Sequence, residues 1–179
     1  MEAVTMPFPA ISDPPSEGAR VAELGAISDQ YHNRKCPARL QTALDRDGTG
    51  LFNSVLAMHG YPPATELING MIKSIDPVIT AHKEHFDQQR PHELADSWNI
   101  PFQSDIDEME TAQSPSYPSG HTTSAYYLAG RLSQLFPRAA GDLHRLAAMI
   151  AESRIDRGVH FPSDNEGGRQ LAAALLAAE

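Results

Sequence analysis

Three short stretches of the chain concentrate side chains able to handle an oxyanion: KEHFDQQRP (Lys83 to Pro91), SPSYPSGHTT (Ser114 to Thr123) and SRIDRGVHFPSD (Ser153 to Asp164). In the first, Lys83 and Arg90 stand seven positions apart, a spacing that returns to nearly the same helix face two turns on. Pro91 disfavours helical geometry at Arg90, so the lysine reaches from the last turns of a helix and the arginine from its exit. Read alone, the pair also fits a solvated, charged helix end.

In the second stretch Pro118, Ser119 and Gly120 form a turn that feeds an amphipathic helix. A helix N-terminus offers unpaired N–H groups and partial positive charge, and glycine lets the backbone approach an anion closely. His121 sits in the first turn, aimed at whatever those amides hold. Simple capping, with Ser119 as N-cap and His121 a passenger, is the competing interpretation.

In the third, Ser153 and Arg154 end one helix, Gly158 is its C-cap, and Ser163 with Glu166 makes a capping box opening the next. His160 then lies in the tight connection and Asp164 in the first turn beyond. A carboxylate four residues on accepts a hydrogen bond from one imidazole nitrogen and leaves the other free as a nucleophile or ligand. A single His-x-x-x-Asp is common by chance, so its weight comes from the other two stretches.

The elements that must position these groups read as helices. An irregular arm, with Pro7, Pro9, Pro14 and Pro15, is expected over residues 1–18 and a single helical domain over 19–179. Apolar spacings of three and four begin near Val21, resume after Pro37 and again after the DRDGTG loop, then run from about Ala64 to Gln89 with Pro77 a kink. A polar, proline-punctuated surface loop, with room for one helical turn, is expected from Arg90 to Ser119. Helical periodicity returns over 121–136, 139–157 and 163–178. No alternating strand pattern of useful length occurs. The expected class is all-α, a single-domain bundle of about six or seven helices with the active site at helix ends.

Composition narrows the partners. With 179 residues, 41% hydrophobic and 21% charged, the chain has the make-up of one globular domain, and no apolar run is long enough to cross a bilayer. A net charge of −9 argues against a nucleic-acid polymer or an anionic membrane surface as partner, so any anion must be bound locally. The single cysteine, Cys36, excludes an internal disulfide. The first residues lack the pattern of a signal peptide, which implies a cytoplasmic protein as numbered, or a periplasmic or secreted one if a signal was removed. His82 and His85 lack carboxylate partners at ligand spacing and are expected on a helix surface, so no metal site is expected. Trp98 and Phe102, in the long loop, are candidates to line a leaving-group pocket.

Taken together, K-x6-R-P, then P-S-G-H, then S-R-x5-H-x3-D, in that order, resemble the tripartite signature of the phosphatidic acid phosphatase type 2 superfamily. The superfamily includes membrane lipid phosphatases, soluble bacterial class A nonspecific acid phosphatases and vanadium-dependent haloperoxidases. The wording SYPSGHT and SRxxxGxHxxSD looks most like the class A acid phosphatases.

The resemblance implies a phosphoric monoester hydrolase acting on small water-soluble phosphate esters through a phosphohistidine, without a metal or other cofactor and with vanadate as inhibitor. Lys83, Arg90, Ser119, Gly120 and Arg154 would hold the phosphate. His160 would be the nucleophile, Asp164 its orienting carboxylate, and His121 the group that protonates the leaving alcohol and then deprotonates water. The same motifs would also suit a haloperoxidase with vanadate as cofactor, a phosphotransferase, or a non-catalytic phosphate-binding protein. Self-association is left open.

Overall fold

The computed structural model describes residues 8–179. The first seven residues of the expected arm lie outside the described residues. Among the described residues there are no strands, and seven α-helices of nine or more residues are joined by one shorter helix and three 3-10 turns. Helix α1 spans Glu17–His32, α2 Ala38–Arg46, α3 Gly48–Met58, α4 Thr65–Phe86, α5 Pro91–Ser97, α6 Gly120–Leu135, α7 Ala140–Asp156 and α8 Pro162–Ala177. None is long and apolar enough to cross a membrane.

Each boundary has a local cause. Ser16 caps α1 by accepting from the Ala19 N–H at 3.2 Å. Helix α4 runs through Pro77 and stops where Asp87 turns left-handed, at φ 44°. Helix α7 closes with the Gly158 N–H donating to Ile155 O and the Val159 N–H to Arg154 O, at 2.9 and 3.1 Å. That is the double bond pattern of a glycine-terminated helix, and the φ of +73° at Gly158 suits it. A Cβ there would also come within 2.8 Å of Ser104 Cβ.

Two expectations about helix starts are corrected. Helix α8 is not opened by a Ser163–Glu166 box: Phe161 is its N-cap, Pro162 its first residue, and the Asp164 carboxylate accepts from the Phe161 N–H at 3.0 Å. Ser163 instead bonds Glu23 of α1 through both its N–H and its hydroxyl. The stretch from Arg90 to Ser119 is also more ordered than a loop. It holds α5 and two 3-10 turns, Ile106–Glu108 and Glu110–Ala112, because Pro91 suits a first helical position and Glu93 accepts from the Arg90 N–H.

Helix α6 packs chiefly on α7 and α8, and α4 lies across it. Helices α2 and α3 close the opposite side, against α7 and α4. The main core joins Leu44, Phe52, Leu56, Ile68, Ile75, Leu128, Leu132, Leu143 and Leu171. A second core, of Leu24, Ile27, Leu94, Ile155 and Phe161, fixes α1 and α5 beside the α7–α8 connection.

Residues 8–16 lie along the bundle in extended form. The Ser12 N–H donates to Gln170 and the Tyr117 hydroxyl to Ser12 O. His82, expected on the surface, is instead wholly buried: its ring stacks on Phe8 with centroids 3.8 Å apart, and its nitrogens face Val78 O and Pro9 O, each at 2.7 Å. The arm covers it, a contact that helical periodicity does not report. His85 is exposed, as expected.

Candidate active site

A cavity of about 540 Å³ opens where α2, α3, α4, α6 and α7 meet. Lys83, Arg90, Gly120, His121 and His160 all line it. Of the other residues expected at the site, Arg154 and Asp164 are fully buried and bonded to lining residues, while buried Ser119 directly precedes Gly120. Side chains from the three sequence stretches thus converge, although 77 positions separate Lys83 from His160.

His160 is held from two sides. Its Nδ1 lies 2.8 Å from Asp164 Oδ2, and its Nε2 lies 2.9 Å from Arg90 Nη1. Asp164 Oδ2 also accepts from the Ser116 hydroxyl and the Phe161 N–H. An oxygen receiving those donors is an acceptor toward imidazole, so Nδ1 carries the proton and Nε2 the lone pair. Arg90 donates into that lone pair. Burial, reinforced by Arg90, Lys83 and Arg154, drives the His160 pKa well below its ordinary value, and the ring is neutral.

The cations are short of negative partners. Lys83 Nζ donates to Pro115 O at 2.5 Å, and Arg90 donates to Ser114 O and Val159 O at 2.8 and 2.9 Å. Carbonyl oxygens satisfy hydrogen bonds without cancelling charge. Burial and the neighbouring Arg90 push the Lys83 pKa down to about 7, and burial with Arg154 pushes Arg90 down to about 10. Burial also raises Asp164 to about 7, against the pull of Ser116, the Phe161 N–H and the two cations.

Arg154 is the exception, because Asp45 pairs with it. Its Nη1 donates to Asp45 Oδ1 at 2.7 Å, while Nε and Nη2, both buried, find no protein partner. The same carboxylate oxygen accepts from the Thr111 hydroxyl at 2.6 Å and lies 3.4 Å from His121 Nε2. Burial alone would raise the Asp45 pKa, yet Thr111, Arg154 and His121 together hold it below the usual carboxylate value. Asp45 had no signal in the sequence. It sits in LDRDGTG, which reads as a loop, whereas Asp45 and Arg46 end α2 and Asp47 caps α3 by accepting from the Gly50 N–H.

His121 differs in one respect from the simple expectation of a ring turned to the anion. Its Nε2–H donates to the Asp45 backbone carbonyl at 2.8 Å, which leaves Nδ1 as the unprotonated nitrogen. Burial first, then the field of Arg154, lowers its pKa to about 3. Ser119 does cap α6, accepting from the Thr122 N–H at 3.3 Å. Trp98 and Phe102 do not line the cavity: Trp98 is exposed and donates to Glu17, and Phe102 packs on the second core. The two belong to the α5 side of the bundle, away from the α2–α3 wall.

Residues 64–178, which hold all three stretches, match the PAP2 superfamily. The chain belongs to the PAP2 superfamily. It is 32% identical over 117 residues to a non-specific acid phosphatase of Salmonella typhi, a match covering 65% of this chain and 46% of that one. It is 29% identical over 117 residues to an acid phosphatase of Zymomonas mobilis, covering 65% and 43%. The chain thus spans less than half the length of either relative. In three dimensions it resembles the transmembrane PAP2-type phosphatidylglycerolphosphate phosphatase of Bacillus subtilis, with a TM-score of 0.57, 20% identity and coverage of 90% of this chain and 82% of that one. That likeness establishes the fold.

The PAP2 site as it stands is a cluster of cations depressing one another's charge, which is what an oxyanion relieves. Sulfate, whose charge is constant across neutral pH, should therefore bind more weakly as pH rises through 7. Above that value the free protein loses the Lys83 proton and Asp164 is ionised, so both changes work in the same direction. Lys83 alone would lower affinity by up to about tenfold per pH unit, Asp164 adds to the slope, and below about pH 7 affinity should flatten. Calorimetric titration at several pH values checks this; affinity that is level from pH 6 to 9 would remove Lys83 from the anion site.

Proposed function

We propose that this chain is a phosphoric monoester hydrolase that works through a phosphohistidine, using its own cations rather than a metal. The observation that carries the proposal is His160 Nε2, an imidazole lone pair fixed by Asp164 on the opposite nitrogen and set in a cavity whose lysine and arginine have no carboxylate partner among the described residues. The acid phosphatase relatives support the same activity.

The chemistry follows from the charges. A phosphate dianion draws Lys83, Arg90 and the free N–H groups of Arg154 onto its oxygens, with the Ser119 hydroxyl and the α6 amides beside them. Arg90 then hands its Nη1 from the imidazole to an oxygen, and Nε2 is released. Nε2 attacks phosphorus, the bond to the ester oxygen breaks, and Asp164 steadies the imidazolium that results. The transition state builds little new bonding, so positioning and charge neutralisation carry most of the rate.

His121 supplies the proton. The arriving dianion offsets the field of Arg154 and Lys83, so the ring takes up a proton on Nδ1 and passes it to the leaving alkoxide. It then accepts one from the water that cleaves the P–N bond, releasing inorganic phosphate and restoring both histidines.

The direct test is turnover of 4-nitrophenyl phosphate by purified protein in the presence of a chelator, with competitive inhibition by vanadate. Folded protein that binds vanadate yet turns nothing over would refute hydrolysis. The His121→Ala variant should lose about 10²-fold or more on an alkyl phosphate and much less on 4-nitrophenyl phosphate, whose leaving group needs no proton. Equal losses on the two would take the acid role away from His121.

A further inference from the structure

The cavity is larger than a phosphate group needs. Beyond the cations it continues as a chamber whose apolar walls are Leu44 and Phe52 from the α2–α3 side, Ile72 and Ile79 from α4, Leu128 from α6 and Ile150 from α7, with the hydroxyls of Thr80 and Ser124 among them. Among the described residues no Asn, Gln, Tyr or Trp lines it, and its one aromatic wall, Phe52, is 1% exposed, so it lacks the amides and open aromatic faces that read a nucleobase or grip a polyhydroxylated ring.

The mouth of this chamber is acidic. Asp76 and Glu84 lie two turns apart on the edge of α4 that also presents Ile72 and Lys83, and both are exposed with no ion-pair partner among the described residues. Asp47 adds a third carboxylate. The cation of the rim is Arg46, whose Nε is 3.8 Å from Asp45. A second anionic group on a substrate, held by its phosphate in the cage, would be brought to this rim and repelled.

We propose that the leaving group this site selects is a compact apolar alcohol, one or two rings in size, uncharged or cationic at its far end. The proposal rests on the hydrolase reading and adds specificity to it. An apolar group there displaces water from Ile72, the most exposed of these walls, and buries its own apolar surface against the rest. A sugar must surrender hydroxyl hydration to the same surface.

A series with constant leaving-group chemistry tests it: benzyl phosphate, 4-(aminomethyl)benzyl phosphate, 4-carboxybenzyl phosphate and, as polar reference, glucose 6-phosphate. Benzyl phosphate should exceed glucose 6-phosphate in kcat/KM by roughly tenfold or more. The ammonium ester should match or exceed it, and the carboxylate ester should fall below it by roughly fivefold or more. Asp76→Asn with Glu84→Gln should narrow the gap between carboxybenzyl and benzyl esters, as should added salt. Ile72→Ser should shrink the preference for benzyl over glucose.

The matching benzylphosphonates, measured by calorimetry, read the same order from binding alone. Ordered phosphonate affinities without turnover of any ester would overturn hydrolysis and uphold the chamber. Turnover with no preference among the esters, or a preferred carboxylate, would overturn the chamber and leave hydrolysis standing.

Discussion

Replacing His160 by alanine should lower kcat on an aryl phosphate by about four orders of magnitude or more. The expectation comes from the inventory of nucleophiles. The hydroxyls of Thr49, Thr80, Ser114 and Ser124 line the same cavity with no base bonded to them among the described residues, and that of Thr111 donates to Asp45, a carboxylate already committed to Arg154. His160 offers a neutral ring, a proton fixed at Nδ1 by Asp164 and a lone pair at Nε2. Acid-labile phosphoryl label should appear on the wild-type protein after a rapid quench and be missing from the variant. Thermal unfolding should show that the variant is folded. A fully active His160→Ala protein would end the phosphohistidine mechanism.

The second large effect is on stability. Asp45→Ala should cost about 3–5 kcal/mol of unfolding free energy, because Arg154 would keep its charge in a buried site with its carboxylate gone. All of its guanidinium nitrogens would then want a partner, and an added oxyanion can supply one. Sulfate should therefore restore more stability to the variant than it gives the wild type. Urea unfolding with and without sulfate reads both numbers. A loss under about 1 kcal/mol, with equal sulfate effects, would show that Asp45 is not what balances Arg154.

Much of this molecule can be read from its sequence because its helices announce their own ends. Gly158 and the Pro-Ser-Gly turn fell within a residue or two of observed boundaries, since capping is settled by near neighbours. The chemistry of the three stretches was legible for the same reason, as Lys83 with Arg90, and His160 with Asp164, stand only seven and four positions apart. What escaped was contact at long range. Asp45 meets Arg154 from 109 positions away, and nothing around it in the chain marks that meeting. His82 was misplaced because the arm that covers it comes from residues 8 and 9, outside the reach of helical periodicity. Trp98 and Phe102 were assigned to the pocket by proximity in sequence, when the wall is built by α2 and α3.

Helix α8 carries two adjacent glycines, and the space above them is fully used. A Cβ on Gly167 would lie 2.4 Å from the Tyr117 ring, and one on Gly168 2.9 Å from the Ser119 carbonyl oxygen. The Ser119 N–H donates to Asp164 O at 3.0 Å, and the Thr122 hydroxyl to Asn165 at 2.8 Å. The Pro118–Gly120 turn that opens α6 and the first turn of α8, which carries Asp164, are consequently one casting, unable to part without breaking those bonds. The far shore of the cavity is built otherwise: there α2 and α3 are joined by a single residue, Asp47, so the two walls differ in how firmly they are tied.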